Sequence, residues 1–181
     1  DFDAGDFIDD DTLPAKEDFF GMHERNLSFS GRLDSVSSST KWVNVLYQNF
    51  GRHGLYPRGF PYGCTGEKST KTGAEVKNVV ISQGLWTSIP DLDALRILAQ
   101  GSLDGRSKVE TNEKDFQENF TVDKGNYPTV CSMNLAFKRE VIPAFYQLPM
   151  DDNKWNIGRF DDIWSGIIIK KICDSLGKYI V

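Results

Sequence analysis

The sequence predicts an α/β fold built in layers, because short apolar segments alternate with segments of helical periodicity. The strand candidates are residues 6–8, 76–82 and 128–137. The helix candidates are residues 15–27, 91–100, 138–148 and 160–176. Residues 28–40 are polar and are expected to form a loop, and residues 41–50 fit a helix or a strand. Residues 51–73 contain many Gly and Pro residues and are expected to be largely irregular.

The helix predicted at residues 160–176 has the clearest pattern in the chain. Six large apolar residues recur at helical spacing and are expected to form its buried face. They are Phe160, Ile163, Trp164, Ile167, Ile168 and Ile172. Gly177 follows the last turn, where a helix stop is expected. The other helices have weaker signals: Pro14 precedes the first, with Glu17 and Asp18 in its opening turn, and Pro143 is expected to break or kink residues 138–148.

The size and composition of the chain are those of a globular domain. It has 181 residues, 39% of them hydrophobic, which suffices for one domain with a core. The formal net charge is -5 and no basic stripe is present, so we expect no nucleic-acid partner. No apolar segment approaches the ~20 residues that a membrane span needs. Residues 101–125 are polar and lack periodicity, which predicts a long loop or an insertion.

The cysteines and the chain ends also carry information. Cys64, Cys131 and Cys173 are odd in number and widely spaced, which favours free thiols in a reducing, cytoplasmic compartment. The chain lacks an initiator Met, and residues 178–181 resemble the start of a strand. We therefore expect residues 1–181 to be a single domain or a fragment of a longer chain.

An acidic run follows the first strand candidate. Asp9, Asp10 and Asp11 stand at a strand end, where closely spaced carboxylates can hold Mg²⁺ or Mn²⁺ and leave coordination positions for phosphate oxygens. A solvated acidic loop is an equally weighted alternative. A calcium-binding EF-hand loop is excluded, because Gly5 precedes Asp6 and Thr12 occupies the position that needs Glu.

Two further acids open the strongest helix. Asp161 and Asp162 lie where free backbone N–H groups and the helix dipole favour an ionised carboxylate, which can act as a general base or bind sugar hydroxyls. Ordinary capping of the helix by one of the acids is the alternative, and the two roles can coexist. We expect Asp162 to face a cleft and Asp161, nearer the helix entry, to cap.

Two central segments offer candidate ligand contacts. Trp86 can present a flat face to a sugar or a base, although most tryptophans belong to the core. Arg58 lies among aromatic residues and prolines and can clamp a phosphate, or can simply pack on the rings. His23 and His53 are the only histidines, and neither has a sequence context typical of a catalytic triad or a zinc site.

Five segments, in this order, resemble the reversibly glycosylated polypeptide family, which includes the UDP-arabinopyranose mutases. They are Asp9-Asp10-Asp11; Tyr56-Pro57-Arg58-Gly59-Phe60-Pro61; Gln83-Gly84-Leu85-Trp86 through Ile89-Pro90-Asp91-Leu92-Asp93-Ala94; Cys131-Ser132-Met133-Asn134-Leu135-Ala136-Phe137; and Gly158-Arg159-Phe160-Asp161-Asp162-Ile163-Trp164-Ser165-Gly166. The match departs from the family at Thr65, where the family has a second arginine, and within residues 101–125.

The resemblance implies a GT-A-like α/β fold, of which the N-terminal, nucleotide-binding half would precede Asp1. It implies a UDP-linked sugar as ligand and Mn²⁺ or Mg²⁺ held by the acidic run. Arg58 matches the arginine that is reversibly glycosylated in plant members. We expect Trp86, Asn134 and Arg159 to bind the substrate. The resemblance implies metal-dependent cleavage of the anomeric sugar–diphosphate bond.

Three functions are compatible with this resemblance. A mutase would re-form the anomeric bond after a change of ring size. A glycosyltransferase, which could glycosylate itself, would use Asp161 or Asp162 as its base. The alternative is a non-catalytic family member that acts as a partner subunit of a glycosyl-transfer complex, and homo- or hetero-oligomers are possible in each case.

Overall fold

The computed structural model describes residues 3–8, 13–14, 17–151, 153–154 and 156–181. These residues form two β-sheets with α-helices packed on and around them, which confirms the predicted mixed α/β class. The strands are β1 (Ala4–Ile8), β2 (Gly31–Ser38), β3 (Ser69–Val76), β4 (Val79–Gln83), β5 (Phe120–Val122), β6 (Asn134–Lys138) and β7 (Tyr179–Ile180). The helices are α1 (Phe19–Leu27), α2 (Val45–Phe50), α3 (Ala94–Ala99) and α4 (Asp161–Leu176).

The first sheet has the strand order β1-β6-β4-β7. Strand β6 pairs antiparallel with β1 and with β4, and β7 lies parallel to β4. Four of the five residues of β4 are buried: α1 packs against this central strand, and Val80 and Ile81 belong to the core cluster that contains Ile169 of α4. One main core cluster packs Ile81 and Leu135 of this sheet against Ile169 of α4.

The second sheet has the order β3-β2-β5 and corrects the prediction for residues 28–40. Residues 28–40 were expected to be a loop, but β2 occupies most of them, pairing antiparallel with β3 and parallel with β5. Strand β5 likewise lies inside the predicted loop at residues 101–125, which also contains a 3-10 turn at Glu113–Asp115. The hydroxyl of Thr121 donates to the carbonyl of Ile180 at 2.8 Å and ties the two sheets together.

Helix α4 has the predicted bounds within one residue, but its buried face differs from the predicted one. Its buried residues include Ser165, Gly166 and Ile169, whereas Trp164 is 49% exposed. A Cβ built on Gly166 would lie 2.0 Å from the carbonyl oxygen of Val130. Small residues therefore face the sheet because the helix approaches the backbone closely there, and this contact overrides the pattern of large apolar residues.

Two further predictions about helices are wrong, each for a local reason. The N-cap of α4 is Phe160, with φ of 79° and no side-chain cap hydrogen bond, so the expected capping by Asp161 is wrong. Residues 138–148 do not form the expected α-helix. A 3-10 helix, Arg139–Ala144, replaces it and contains Pro143, which has no N–H to donate. Among the described residues, no helix is long and apolar enough to cross a membrane.

Candidate functional site

A cavity of about 510 Å³ lies between the two sheets and has the size of a small-molecule site. Its walls come from the end of β1, from helix α1, from the segment after β4 and from β5. Most of the lining is apolar, with Phe50, Phe116 and Trp86 among the aromatic residues. Five of the polar residues that line it form one hydrogen-bonded group at its wall.

This polar group centres on His23, which is 6% exposed. Its Nδ1 lies 2.8 Å from Oγ of Ser82, and its Nε2 lies 3.0 Å from Oδ1 of Asn134. Nδ2 of Asn26 donates to the same Ser82 Oγ at 2.9 Å, and Asn119 donates to Oδ1 of Asn26 at 2.8 Å. All five side chains line the cavity. We call them the His23 network.

Glycine 84 allows Asn134 to occupy its place in this network. A Cβ at Gly84 would lie 2.0 Å from Nδ2 of Asn134, so a larger residue cannot stand there without moving the amide. The carbonyl of Asn134 accepts hydrogen bonds from the backbone N–H of Gly84 at 2.8 Å and from Nε2 of Gln83 at 3.0 Å. The motif Gln83-Gly84 thus fixes Asn134 at the cavity wall, and Trp86 follows two residues later.

A second polar centre surrounds Arg58 and lies outside the cavity. Nε of Arg58 donates to Oδ2 of Asp91 at 2.8 Å, and Nη2 donates to Oδ2 of Asp162 at 2.8 Å. Nη2 also lies 3.8 Å from the sulfur of Met133. Burial lowers the pKa of the guanidinium, but the two carboxylates outweigh burial and raise the pKa above its usual value.

The thiol of Cys131 lies beside this centre. Burial raises its pKa to about 12, and the nearby carboxylates of Asp91 and Asp162 act in the same direction. Its backbone N–H donates to Oε1 of Gln83 at 3.2 Å, which links the segment before β6 to the residues that anchor Asn134. A thiol with such a high pKa is almost entirely protonated and is a poor nucleophile or metal ligand.

The structure divides the predicted site residues into three groups. Trp86 and Asn134 come together at the cavity, and Arg58 and Asp162 come together in the second centre. Asp161 lies half-buried in the first turn of α4, and Arg159 is exposed with its guanidinium 5.1 Å from the ring of Phe160. The roles assigned to all of these residues stay predictions.

The predicted metal ligands Asp9, Asp10 and Asp11 lie outside the described residues. Their neighbours in sequence are described: Ile8, at the end of β1, and Leu13 and Pro14 all line the cavity. Within the described ranges, no group of three or more His, Cys, Asp or Glu side chains could hold a metal ion.

The sequence did not predict the His23 network. Its three central members are far apart in sequence, since Ser82 and Asn134 follow His23 by 59 and 111 positions. The motif containing Asn134 was identified, but nothing in the sequence placed a histidine beside it. The available signal was that His23 falls within the helix predicted at residues 15–27.

Comparison with known proteins assigns most of the chain to one group of sequences. Residues 7–180 match the family model described as "Reversibly glycosylated polypeptide". The chain is 37% identical over 172 residues to "Probable UDP-arabinopyranose mutase 1" of Pisum sativum and 34% identical over 177 residues to "UDP-arabinopyranose mutase 1" of Arabidopsis thaliana. Each alignment covers 94% of this chain, and they cover 42% and 43% of these two relatives. The chain therefore spans about two fifths of the length of the curated relatives that it matches.

Proposed function

The chain belongs to the reversibly glycosylated polypeptide family, and on that premise we propose that it forms the sugar-side part of a UDP-sugar mutase. The proposed ligand is a UDP-linked sugar, whose anomeric carbon–phosphate bond is broken and re-formed around a change of ring size. The names of the relatives favour UDP-arabinopyranose as the substrate. We also propose a GT-A-like architecture for the complete protein, as the sequence resemblance implies.

The observation that carries this proposal is the cavity between the sheets. Its volume of about 510 Å³ lies within the 300–1,000 Å³ typical of ligand sites. It combines an apolar lining that contains the indole of Trp86 with a small set of side-chain amide, hydroxyl and imidazole groups. A flat ring and several hydrogen-bonding groups are what a pyranose, with apolar faces and hydroxyl edges, requires.

The acidic run is the proposed cation site. Carboxylate oxygens are the ligands that Mg²⁺ and Mn²⁺ prefer, so the donor set fits such an ion. The described residues on either side of the run, Ile8 and Leu13, both line the cavity. A divalent cation, when bound by Asp9, Asp10 and Asp11, would neutralise negative charge on the diphosphate leaving group.

The Arg58 centre has no step in this proposal. Arg58, Asp91 and Asp162 do not line the cavity, and both carboxylates accept hydrogen bonds from the guanidinium. We propose that this centre holds the start of α4 against the loop containing Arg58. Gly59 permits the contact, since its φ is 86° and a Cβ there would lie 3.0 Å from atoms of Ile163.

A pair of tryptophan substitutions tests the location of the sugar site. We expect Trp86→Leu in the full-length protein to weaken binding of UDP-arabinopyranose about fivefold, since loss of an aromatic contact costs on the order of 1 kcal/mol. Trp164→Leu is the matched control, because Trp164 is half-exposed on α4 and lies outside the cavity. Calorimetric titration of both variants gives the affinities. Equal affinity for the wild type and Trp86→Leu would place the sugar elsewhere.

A further inference from the structure

The His23 network has one consistent direction of hydrogen bonding. Oδ1 of Asn134 can only accept, so it fixes the proton of the neutral imidazole on Nε2. Nδ1 is then an acceptor, and the Ser82 hydroxyl donates a hydrogen bond to it. One of the two lone pairs on Ser82 Oγ accepts from Nδ2 of Asn26, whose Oδ1 in turn accepts from Asn119, and the second lone pair can accept from a bound molecule. Each of the four hydrogen bonds in the network therefore has one donor and one acceptor.

This arrangement makes the Ser82 hydroxyl ready to lose its proton. The imidazole of His23 is the base, and Asn134 holds that imidazole in the required tautomer, as the orienting residue does in serine–histidine constellations. His23 and Ser82 are 6% and 1% exposed, so bulk water has little access to the pair, although both residues line the cavity. A hydroxyl of a molecule bound in the cavity is therefore the natural partner for proton exchange.

We propose that His23, working through the hydroxyl of Ser82, is the acid–base group that moves the proton during the change of ring size, with Asn134 as its positioning residue. The proposal rests on the mutase function proposed above. It assigns to the His23 network a role that the acidic run and the Arg58 centre do not supply.

The proton balance of the ring change fits a single reversible relay. The diphosphate first leaves the anomeric carbon with the electron pair of its bond. One sugar hydroxyl then forms a new bond to that carbon and gives its proton to Ser82 Oγ, while Ser82 passes its own proton to Nδ1 of His23. The former ring oxygen takes a proton back along the same path and breaks its bond to the same carbon, where the diphosphate oxygen re-forms the anomeric bond. The imidazole ends neutral, the protein is unchanged, and no oxidant or reductant is required.

Asp6 of β1 is the titratable group whose charge interacts with His23. Burial raises the pKa of the Asp6 carboxyl, and positive charge on His23 opposes that rise. Asp6 does not hydrogen-bond to the imidazole, whose two nitrogens are engaged by Ser82 and Asn134. The proton path therefore runs through Ser82 and leaves Asp6 aside.

The chain provides a matched control, because His53 is its other histidine. His53 is exposed, and its ring lies tilted against that of Tyr47 with centroids 4.0 Å apart, and neither residue lines the cavity. In the full-length protein with UDP-arabinopyranose and Mn²⁺, we expect His23→Gln to lower kcat about 10²–10⁴-fold, the usual contribution of a positioned acid–base group. Ser82→Ala should lower kcat in the same range. KM and UDP affinity should be unchanged in both, and His53→Gln should behave as the wild type.

A spectroscopic measurement distinguishes proton transfer from a purely structural role. Side-chain ¹⁵N shifts of neutral His23 in the wild type should report a proton on Nε2. Asn134→Ala should allow the tautomer with the proton on Nδ1, whereas Ser82→Ala should keep the proton on Nε2. Full kcat in His23→Gln, or an Nδ1–H tautomer in the wild type, would overturn the assignment. A fall in the UDP affinity of His23→Gln large enough to account for its whole loss of turnover would overturn the assignment as well. A wild-type protein that binds UDP and Mn²⁺ but converts no UDP-sugar would instead overturn the mutase function, and this assignment with it.

Discussion

Nη2 of Arg58 donates a hydrogen bond to Oδ2 of Asp162 at 2.8 Å, which joins an irregular loop to the first turn of α4. Nε of the same guanidinium donates to Asp91 at the same distance. The side chains of Arg58 and Asp162 are only 19% and 14% exposed, so solvent screens this pair less than a surface ion pair. Asp162 is therefore the structurally engaged member of the Asp161–Asp162 pair.

The two acids should respond differently to the same substitution. Asp162→Asn should lower the free energy of unfolding by roughly 1.5–3 kcal/mol, the range for a lost hydrogen bond to a charged group. Asp161→Asn is the matched control, since it removes the same charge from the same helix turn, and should cost at most about 1 kcal/mol. Urea denaturation measures both. Equal losses would show that the ion pair with Arg58 contributes nothing beyond the helix-dipole effect.

Gly166→Ala should destabilise the protein although alanine is the better helix former. Helix propensity alone would favour alanine by about 1 kcal/mol. The new Cβ would lie 2.0 Å from the carbonyl oxygen of Val130, and overpacking of this kind costs typically about 1–3 kcal/mol. Thermal melting of Gly166→Ala should therefore show a lower Tm. Gly158→Ala, which meets no atom within 4 Å, is the control, and a raised Tm for Gly166→Ala would contradict the close approach.

The three free cysteines should differ in their reactivity towards iodoacetamide. Burial raises the pKa of Cys131 to about 12 and that of Cys173 to about 11, so at pH 8 the thiolate fractions are roughly 10⁻⁴ and 10⁻³. Cys64 and Cys131 are both partly exposed, so access alone does not separate them. We expect Cys64 to be alkylated first, because the raised pKa of Cys131 keeps that thiol protonated. Raising the pH towards 11 should speed labelling of the other two. Peptide mapping by mass spectrometry measures this, with urea-unfolded protein as the control; labelling of native Cys131 as fast as Cys64 would contradict it.

The elements that the sequence predicted well are those with strong local signals. Helix α4 combines a long apolar pattern with Gly177 at its end, and strand β4 is an apolar run that is buried on both faces. Strand β2 was missed because its sequence is polar and rich in serine. It exists because β3 and β5 pair with it on both edges, a non-local effect that no window of sequence contains.

The candidate site was predictable only in part, and the limit is again sequence separation. Trp86 and Asn134 were singled out from their motifs, and the structure brings both to the cavity. The pairing of Arg58 with Asp162 spans 104 residues, and the contact of His23 with Asn134 spans 111. Residue type and spacing do not predict such contacts, because the contacts depend on how α1 and α4 pack against the first sheet.

Calorimetric titration of the full-length protein with UDP, with and without Mn²⁺, tests whether the cavity is a metal-dependent UDP-sugar site. We expect Mn²⁺ to strengthen UDP binding and Asp11→Asn to abolish most of that gain. Asp151→Asn, a loss of the same charge at an exposed position far along the chain, should retain the full gain. The metal-dependent site would be contradicted by a UDP affinity that Mn²⁺ does not change. It would also be contradicted by equal UDP affinities of Asp11→Asn and wild-type protein in the presence of Mn²⁺.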